Sequence, residues 1–237
     1  MHPKILFILT TLTLYAQDMA LSLESWQGVK AIVLRIRDVN VEVLAQAGAK
    51  LEIRGMEGNR EWSHQVLQDQ LVLEVLPQAR PTPDFLTLMV VVKPEIEIQV
   101  FTTTGNIQVV GSHNARVFRS LRGNISLQNT RGQLKADSLT GYIEITNHRG
   151  DFYLQTVSGF IKFLGAEPQR QAQILSTNGN IFLRLNLPLD RLNLVASTLN
   201  PDFVVLGTKV TNRIRQGQGP VSLTVASSVG SIEIVGP

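Results

Sequence analysis

Between Gly105 and Phe163 the chain repeats a nine-residue phrase: a glycine, alternating polar and apolar positions, then a short polar corner. The units read GNIQVVGSH, NARVFRSLR, GNISLQNTR, GQLKADSLT, GYIEITNHR and GDFYLQTVS, and GFIKF opens the next. Gly105, Gly123, Gly132, Gly141, Gly150 and Gly159 lead their units, and Asn114 takes that place once. Glycine and asparagine both tolerate a left-handed backbone, which predicts a tight corner of that kind at each of these positions. The third and fifth residues are apolar, as in Ile125/Leu127, Leu134/Ala136, Ile143/Ile145, Phe152/Leu154 and Ile161/Phe163. Alternation of this kind predicts strands with one buried face.

Two architectures accommodate a strand and a corner every nine residues. In an antiparallel meander or sandwich each unit is a strand plus a hairpin turn, whose tip favours Asn-Gly or Asp-Gly. In a right-handed β-solenoid, two units of 18 residues go out and back as one flattened coil. Like positions of successive coils then stack about 4.8 Å apart. Here glycine leads the strands and is followed by Asn, Gln, Tyr, Asp or Phe, which favours the solenoid. Five extended residues cover roughly 16 Å of each wall, and four turn the corner. One inward ladder would run Ile107, Ile125, Ile143, Ile161, Ile181, and its neighbour Val109, Leu127, Ile145, Phe163, Leu183. Leu134, Phe152, Ala136 and Leu154 would line the other wall, and a one-residue slip would turn every one of these side chains outward.

The flanks carry the same pattern less regularly. Residues 29–37, 39–44, 50–54, 61–66 and 70–76 alternate, with corners at Asp38, at Gln46-Ala47-Gly48 and at 55–59, and the Pro-rich stretch 78–84 reads as a loop. Leu86 to Val92 is more uniformly apolar, as in a strand covered on both faces. Glu95 to Val100 alternates strictly. The unit restarts at Gly179 after 20 residues instead of 18, which predicts an outward bulge at Glu167 to Arg170. Residues 185–215 are degenerate, and the pattern returns in Val221–Val225 and Ser231–Ile234. The expectation is a single domain from residue 21 to 237.

Thr104-Gly105-Asn106-Ile107-Gln108-Val109, Thr140-Gly141-Tyr142-Ile143-Glu144-Ile145 and Ser158-Gly159-Phe160-Ile161-Lys162-Phe163 share a Ser/Thr-Gly-x-Ile-x-apolar phrase. With VNVEVLAQAGAKLEIRG and LMVVVKPEIEIQVFTTTGNIQVVG ahead of it, the chain from Val29 to Pro237 resembles the bacterial "putative adhesin" family of β-strand-repeat domains. The resemblance implies a right-handed β-solenoid and an extracytoplasmic setting. It brings no catalytic residues.

Composition narrows the partners. Apolar residues make up 43% of 237, enough for a core, and charged residues only 17%, with a formal charge of +3 and no clustering of Lys and Arg on one element. Nucleic acid is therefore not the expected partner; a glycan or a surface protein is. Met1 to Ala20 reads as a secretory signal, with His2 and Lys4 ahead of an apolar run to Leu14 and Ala16 as the best cleavage point. The run is too short to span a bilayer. The chain has no cysteine, which excludes disulfides, thiolate metal sites, a Cys nucleophile and a lipidated N-terminal Cys.

Little in the sequence points to catalysis or to a cofactor. His64, His113 and His148 have no metal-ligand spacing, and no Gly-x-Ser-x-Gly, P-loop or dinucleotide phrase occurs. Glu95 and Glu97, on one strand face, would stand about 7 Å apart, near glycosidase separations, but without accompanying bases or aromatics. Asp137 and Asp151 fall on different units, with no Lys or Arg arranged as a lyase base. The most suggestive surface is an outward aromatic column of Tyr142, Phe160 and Phe182, with Glu144 and Lys162 paired beside it, suited to stacking on sugar rings or to an apolar partner. The expected function is a non-enzymatic surface or binding module. A carbohydrate-active enzyme on the same fold and a structural element of the cell envelope are the alternatives.

Overall fold

The computed structural model describes residues 28–55, 62–75, 86–201 and 203–237. The 1–20 signal and the 78–84 loop lie outside them. Alternating residues form strands throughout, and each coil gives one strand to each of two 11-stranded sheets, here called wall A and wall B. The first coil is β1 (Ala31–Arg35) on wall A and β2 (Val39–Ala45) on wall B. The chain next steps away through β3 (Glu52–Arg54) and β4 (Trp62–Leu67), then lays β5 (Gln70–Val75) and β6 (Leu86–Val92) parallel to the first coil. It returns to the first coil's other side with β7 (Glu97–Thr102) and β8 (Ile107–Val110). Regular stacking follows in four coils, each pairing a wall A strand with a wall B strand. They are β9 (Ala115–Ser120) and β10 (Ile125–Arg131), β11 (Leu134–Ser138) and β12 (Ile143–Arg149), β13 (Phe152–Thr156) and β14 (Ile161–Glu167), and β15 (Gln171–Ser176) and β16 (Ile181–Leu185).

The degenerate region is an end coil rather than loop: β17 (Leu192–Thr198) and β18 (Phe203–Val205), covered by antiparallel β20 (Arg213–Gln216) and β19 (Thr208–Lys209). Then β21 (Val221–Ser227) and β22 (Ile232–Val235) insert between that end coil and β15/β16. The other end mirrors this, with β3 and β4 antiparallel to β6 and β5. All coil-to-coil pairing is parallel, which rules out the meander.

The registers stack the expected ladders. Ile107, Ile125, Ile143, Ile161 and Ile181 are successive partners, as are Val109, Leu127, Ile145, Phe163 and Leu183. Leu134/Phe152 and Ala136/Leu154 stack on wall A. All are buried. The two extra residues fall between Glu167, still level with Arg149, and Ala172, level with Phe152. The bulge is therefore at Pro168–Arg170, and Asp151 Oδ1 anchors it by accepting from the Arg170 and Gln171 amides at 2.8 and 3.1 Å. β6 is not covered on both faces: Leu88, Val90 and Val92 point inward, whereas Thr87 is exposed and Met89 and Val91 only half-buried, beside the outward row of β2.

The glycines divide into two kinds, only one of which is left-handed. Gly132 and Gly150 have φ of 106° and 140°. Gly105, Gly123, Gly141 and Gly159 do not have positive φ; a Cβ on Gly141 would instead collide with the Gly123 carbonyl, and one on Gly123 with the Gly105 carbonyl. Asn114 is not left-handed either; among the repeat units the asparagines that are, Asn129 and Asn147 (φ 51° and 56°), sit inside the wall B strands.

Candidate functional site

Each coil has two corners. At the first, leading from wall A to wall B, the buried Ser138 hydroxyl accepts from the Gly141 amide at 2.9 Å and donates to the Gly123 carbonyl of the coil before at 3.2 Å. Ser120 does the same for Gly123 and Gly105. One hydroxyl thus closes its own turn and ties it to the preceding coil, which is the physical content of the Ser/Thr-x-x-Gly spacing. The residue after the glycine continues a second row. Asn106 Oδ1 accepts from the Asn124 amide at 2.9 Å, and Asn124 Oδ1 from the Tyr142 amide at 3.1 Å. Tyr142 and Phe160 then interrupt the amide row, which resumes where Asn180 Oδ1 accepts from the Ser231 amide.

The two rings are 43% and 40% exposed, and Leu121 and Leu139, across the glycines, are 45% and 46% exposed. Together they form an apolar ridge along this edge. Glu144 and Lys162 pair beside it at 2.7 Å. Phe182 does not extend the aromatic row: it is the register partner of Lys162, one position further along wall B, while Asn180 succeeds Phe160. The expected single column is two rows, because the rings are second in their units and Phe182 is fourth.

At the second corner, leading from wall B back to wall A, a polar groove of about 390 Å³ runs across the coils. Its floor is a left-handed row: Gly111, Asn129, Asn147 and Gly165, with φ of 80°, 51°, 56° and 74°. Each bends its strand, so that the next residue, Thr130, His148 or Ala166, turns back into the core. Asn147 Nδ2 donates to Asn129 Oδ1 at 3.2 Å. Arg131, Arg149 and Glu167 are register partners on the rim, and Arg149 pairs with Glu167 at 3.4 Å. His113 and Asn186 complete the lining.

Under the groove, His148 is buried against Phe152 and Phe163, with ring centroids 6.1 and 6.3 Å away. Its Nδ1 lies 2.9 Å from Thr130 Oγ1, and Nε2 has no hydrogen-bond partner among the described residues. The Nδ1–H tautomer fits best, since it leaves a lone pair rather than a donor unmet. Burial lowers this imidazole to about 4, against the pull of polar backbone groups at Asp151 and Gly132 and of the Asp151 carboxylate. His148 is a neutral core residue.

The remaining candidates are held in structural pairs. Glu95 lies in the turn before β7, not on the strand, so the expected same-face carboxylate pair does not form. Glu97 takes Arg116 at 3.1 Å and Gln99 at 2.8 Å. Asp137 does gain a cation, Arg119 at 2.8 Å, and so does Asp151, Arg170 at 3.3 Å. Burial raises the Asp151 carboxyl, but the Gln171 and Arg170 amides and the Arg170 guanidinium outweigh it and hold it below the ordinary carboxylate value. His64 lies on β4 opposite Leu73. Among the described residues no three His, Cys, Asp or Glu side chains gather as metal ligands, and no helix is long and apolar enough to cross a membrane.

Two parallel walls built from 18-residue coils define a flattened β-solenoid. No protein-family model and no curated protein matches the chain. A crystal structure from Bacteroides fragilis, named a "putative adhesin", aligns with 95% of this chain and 97% of its own at a TM-score of 0.54 and 11% identity. One from Clostridium sporogenes, named a "putative cell adhesion protein", aligns over 93% and 97% at a TM-score of 0.35 and 10% identity. The likeness to the Bacteroides protein is one of fold alone.

Proposed function

We propose that this protein is an extracytoplasmic, non-enzymatic binding module of the adhesin kind, which engages a glycan or protein surface through its first-corner ridge. The observation that carries the proposal is the ridge itself. Tyr142 and Phe160 stand 43% and 40% exposed where the neighbouring coils place asparagines that bond the next coil, so the coil stack gives up amide bonds there for exposed rings. Exposed apolar side chains grouped in this way, flanked by an ion pair, mark an interaction surface. The apolar run of residues 5–14 and the likeness of the walls to a protein named as an adhesin support the setting. The ion-paired carboxylates favour binding over glycan cleavage.

The test is Tyr142→Ala/Phe160→Ala. Retention of the purified protein on a panel of immobilised neutral polysaccharides and cell-surface proteins should fall at least tenfold, with the β-type circular dichroism unchanged. Equal retention of the variant and the native chain would remove the ridge as the binding surface.

A further inference from the structure

The second-corner groove is a polar site on the opposite edge from the ridge, and its composition is particular. Arg131 and Arg149 are direct partners on adjacent parallel strands, so their side chains spring from backbones about 4.8 Å apart. Like charges directly opposite one another destabilise a sheet. Glu167 offsets Arg149 at 3.4 Å, but among the described residues no carboxylate pairs with Arg131. The rim therefore carries one uncompensated guanidinium beside a compensated one. Below them, the Asn147-to-Asn129 bond leaves Asn129 Nδ2 and Asn147 Oδ1 without a partner among the described residues. Gly165 extends the space. A Cβ there would meet Asn147 Oδ1 at 2.5 Å and Asn186 Nδ2 at 3.2 Å, so the glycine leaves these two amides facing one notch.

We infer that this groove binds an acidic oligosaccharide laid along the solenoid axis. Its carboxylate would sit on Arg131 and Arg149, and its hydroxyls on the Asn129, Asn147 and Asn186 amides. A guanidinium presents a planar fork that matches a carboxylate. Amide side chains offer a donor and an acceptor together, the pairing a sugar hydroxyl needs. One amide per coil suits a linear polymer crossing the strands. An extended acidic peptide fits less well, because peptides add to β-structure through free backbone groups at a strand edge. Along this groove backbone groups are already used between coils: Gly111 N to Gln128 O, Arg131 N to Ser112 O, Gly132 N to Arg149 O and Gly150 N to Glu167 O.

Calorimetric titration of the full chain with oligogalacturonate, oligo-alginate and hyaluronan fragments tests the site, with a neutral gluco-oligosaccharide and poly-glutamate of matched length as controls. At least one acidic oligosaccharide should bind, more weakly as salt rises. The neutral sugar should give no signal. Arg131→Gln should lower affinity at least tenfold, and Asn147→Gly, which keeps the left-handed corner but removes the amide, should lower it severalfold. Arg35→Gln, at an exposed arginine paired with Glu74 on wall A and outside both ridge and groove, should bind these sugars as the native chain does, so that a loss in Arg131→Gln belongs to the groove and not to net charge. Binding of none of the three acidic sugars, or equal binding by Arg131→Gln, overturns the inference. Poly-glutamate binding as tightly, with the same dependence on Arg131, overturns the choice of carbohydrate.

Discussion

His148 stays neutral in the folded chain down to about pH 4, whereas an unfolded histidine protonates near 6.5. Between those values the unfolded chain holds a proton that the folded chain does not. Stability therefore falls as pH drops through that window, by about 3 kcal/mol from this group alone. Asp151 acts in the same direction at lower pH, since its carboxyl lies below the ordinary value and its contribution goes as it protonates. His148→Phe/Thr130→Val removes both ends of the buried contact without leaving a lone hydroxyl. Urea midpoints measured at pH 7 and pH 4.5 should converge in the variant and differ clearly in the native chain; an unchanged pH dependence would place the acid limit elsewhere. None of this could be read from the sequence. His148 is eighth in its unit, beyond the alternating stretch, and only the left-handed bend at Asn147 turns it inward. The trace that was there is the repeated triplet Asn129-Thr130-Arg131 and Asn147-His148-Arg149, 18 residues apart, which holds the groove's amides and guanidinia.

The coil is the element of this fold, and its first corner shows why its glycines are needed. Their spacing was legible from Gly105 onward, and so was the burial of the third and fifth positions, because an 18-residue count puts identical side chains in register. The reason for the glycines was not legible. Conformational freedom explains Gly132, Gly150 combines a positive φ with a clash on the Gly132 carbonyl, and at Gly123 and Gly141 the preceding coil's carbonyl alone occupies the place of a side chain. Gly141→Ala should accordingly force two coils apart and break the Ser138 bridge, costing about 2 kcal/mol or more and lowering the melting temperature by about 5 °C. Alanine at Gly48, where a Cβ would meet nothing within 4 Å, is the comparison for backbone strain alone. Similar losses at both positions, read by calorimetry, would mean that coil spacing is not the constraint.

At the scale of the whole molecule, sequence order and spatial order part company at both ends. Alternation marks a strand without saying which strand it lies beside, so nothing in residues 29–100 or 185–235 disclosed that β1/β2 and β21/β22 each lie between two other coils. The end unit β17–β20 joins the stack only through β21 and β22, and β3–β6 joins it only through β1 and β2. Strands late in a chain usually fray first. Here β21 and β22 cannot detach without abandoning neighbours on both sides, whereas β17 and β18 can leave by breaking one interface. Native-state amide hydrogen exchange should therefore run against chain order, with residues 221–235 exchanging more slowly than 192–198 and 203–205, and 31–45 more slowly than 70–75 and 86–92. Equal rates within each pair would mean that each end opens as one cooperative block. Either pattern makes the two inserted coils clasps that fasten the ends of the molecule to its middle.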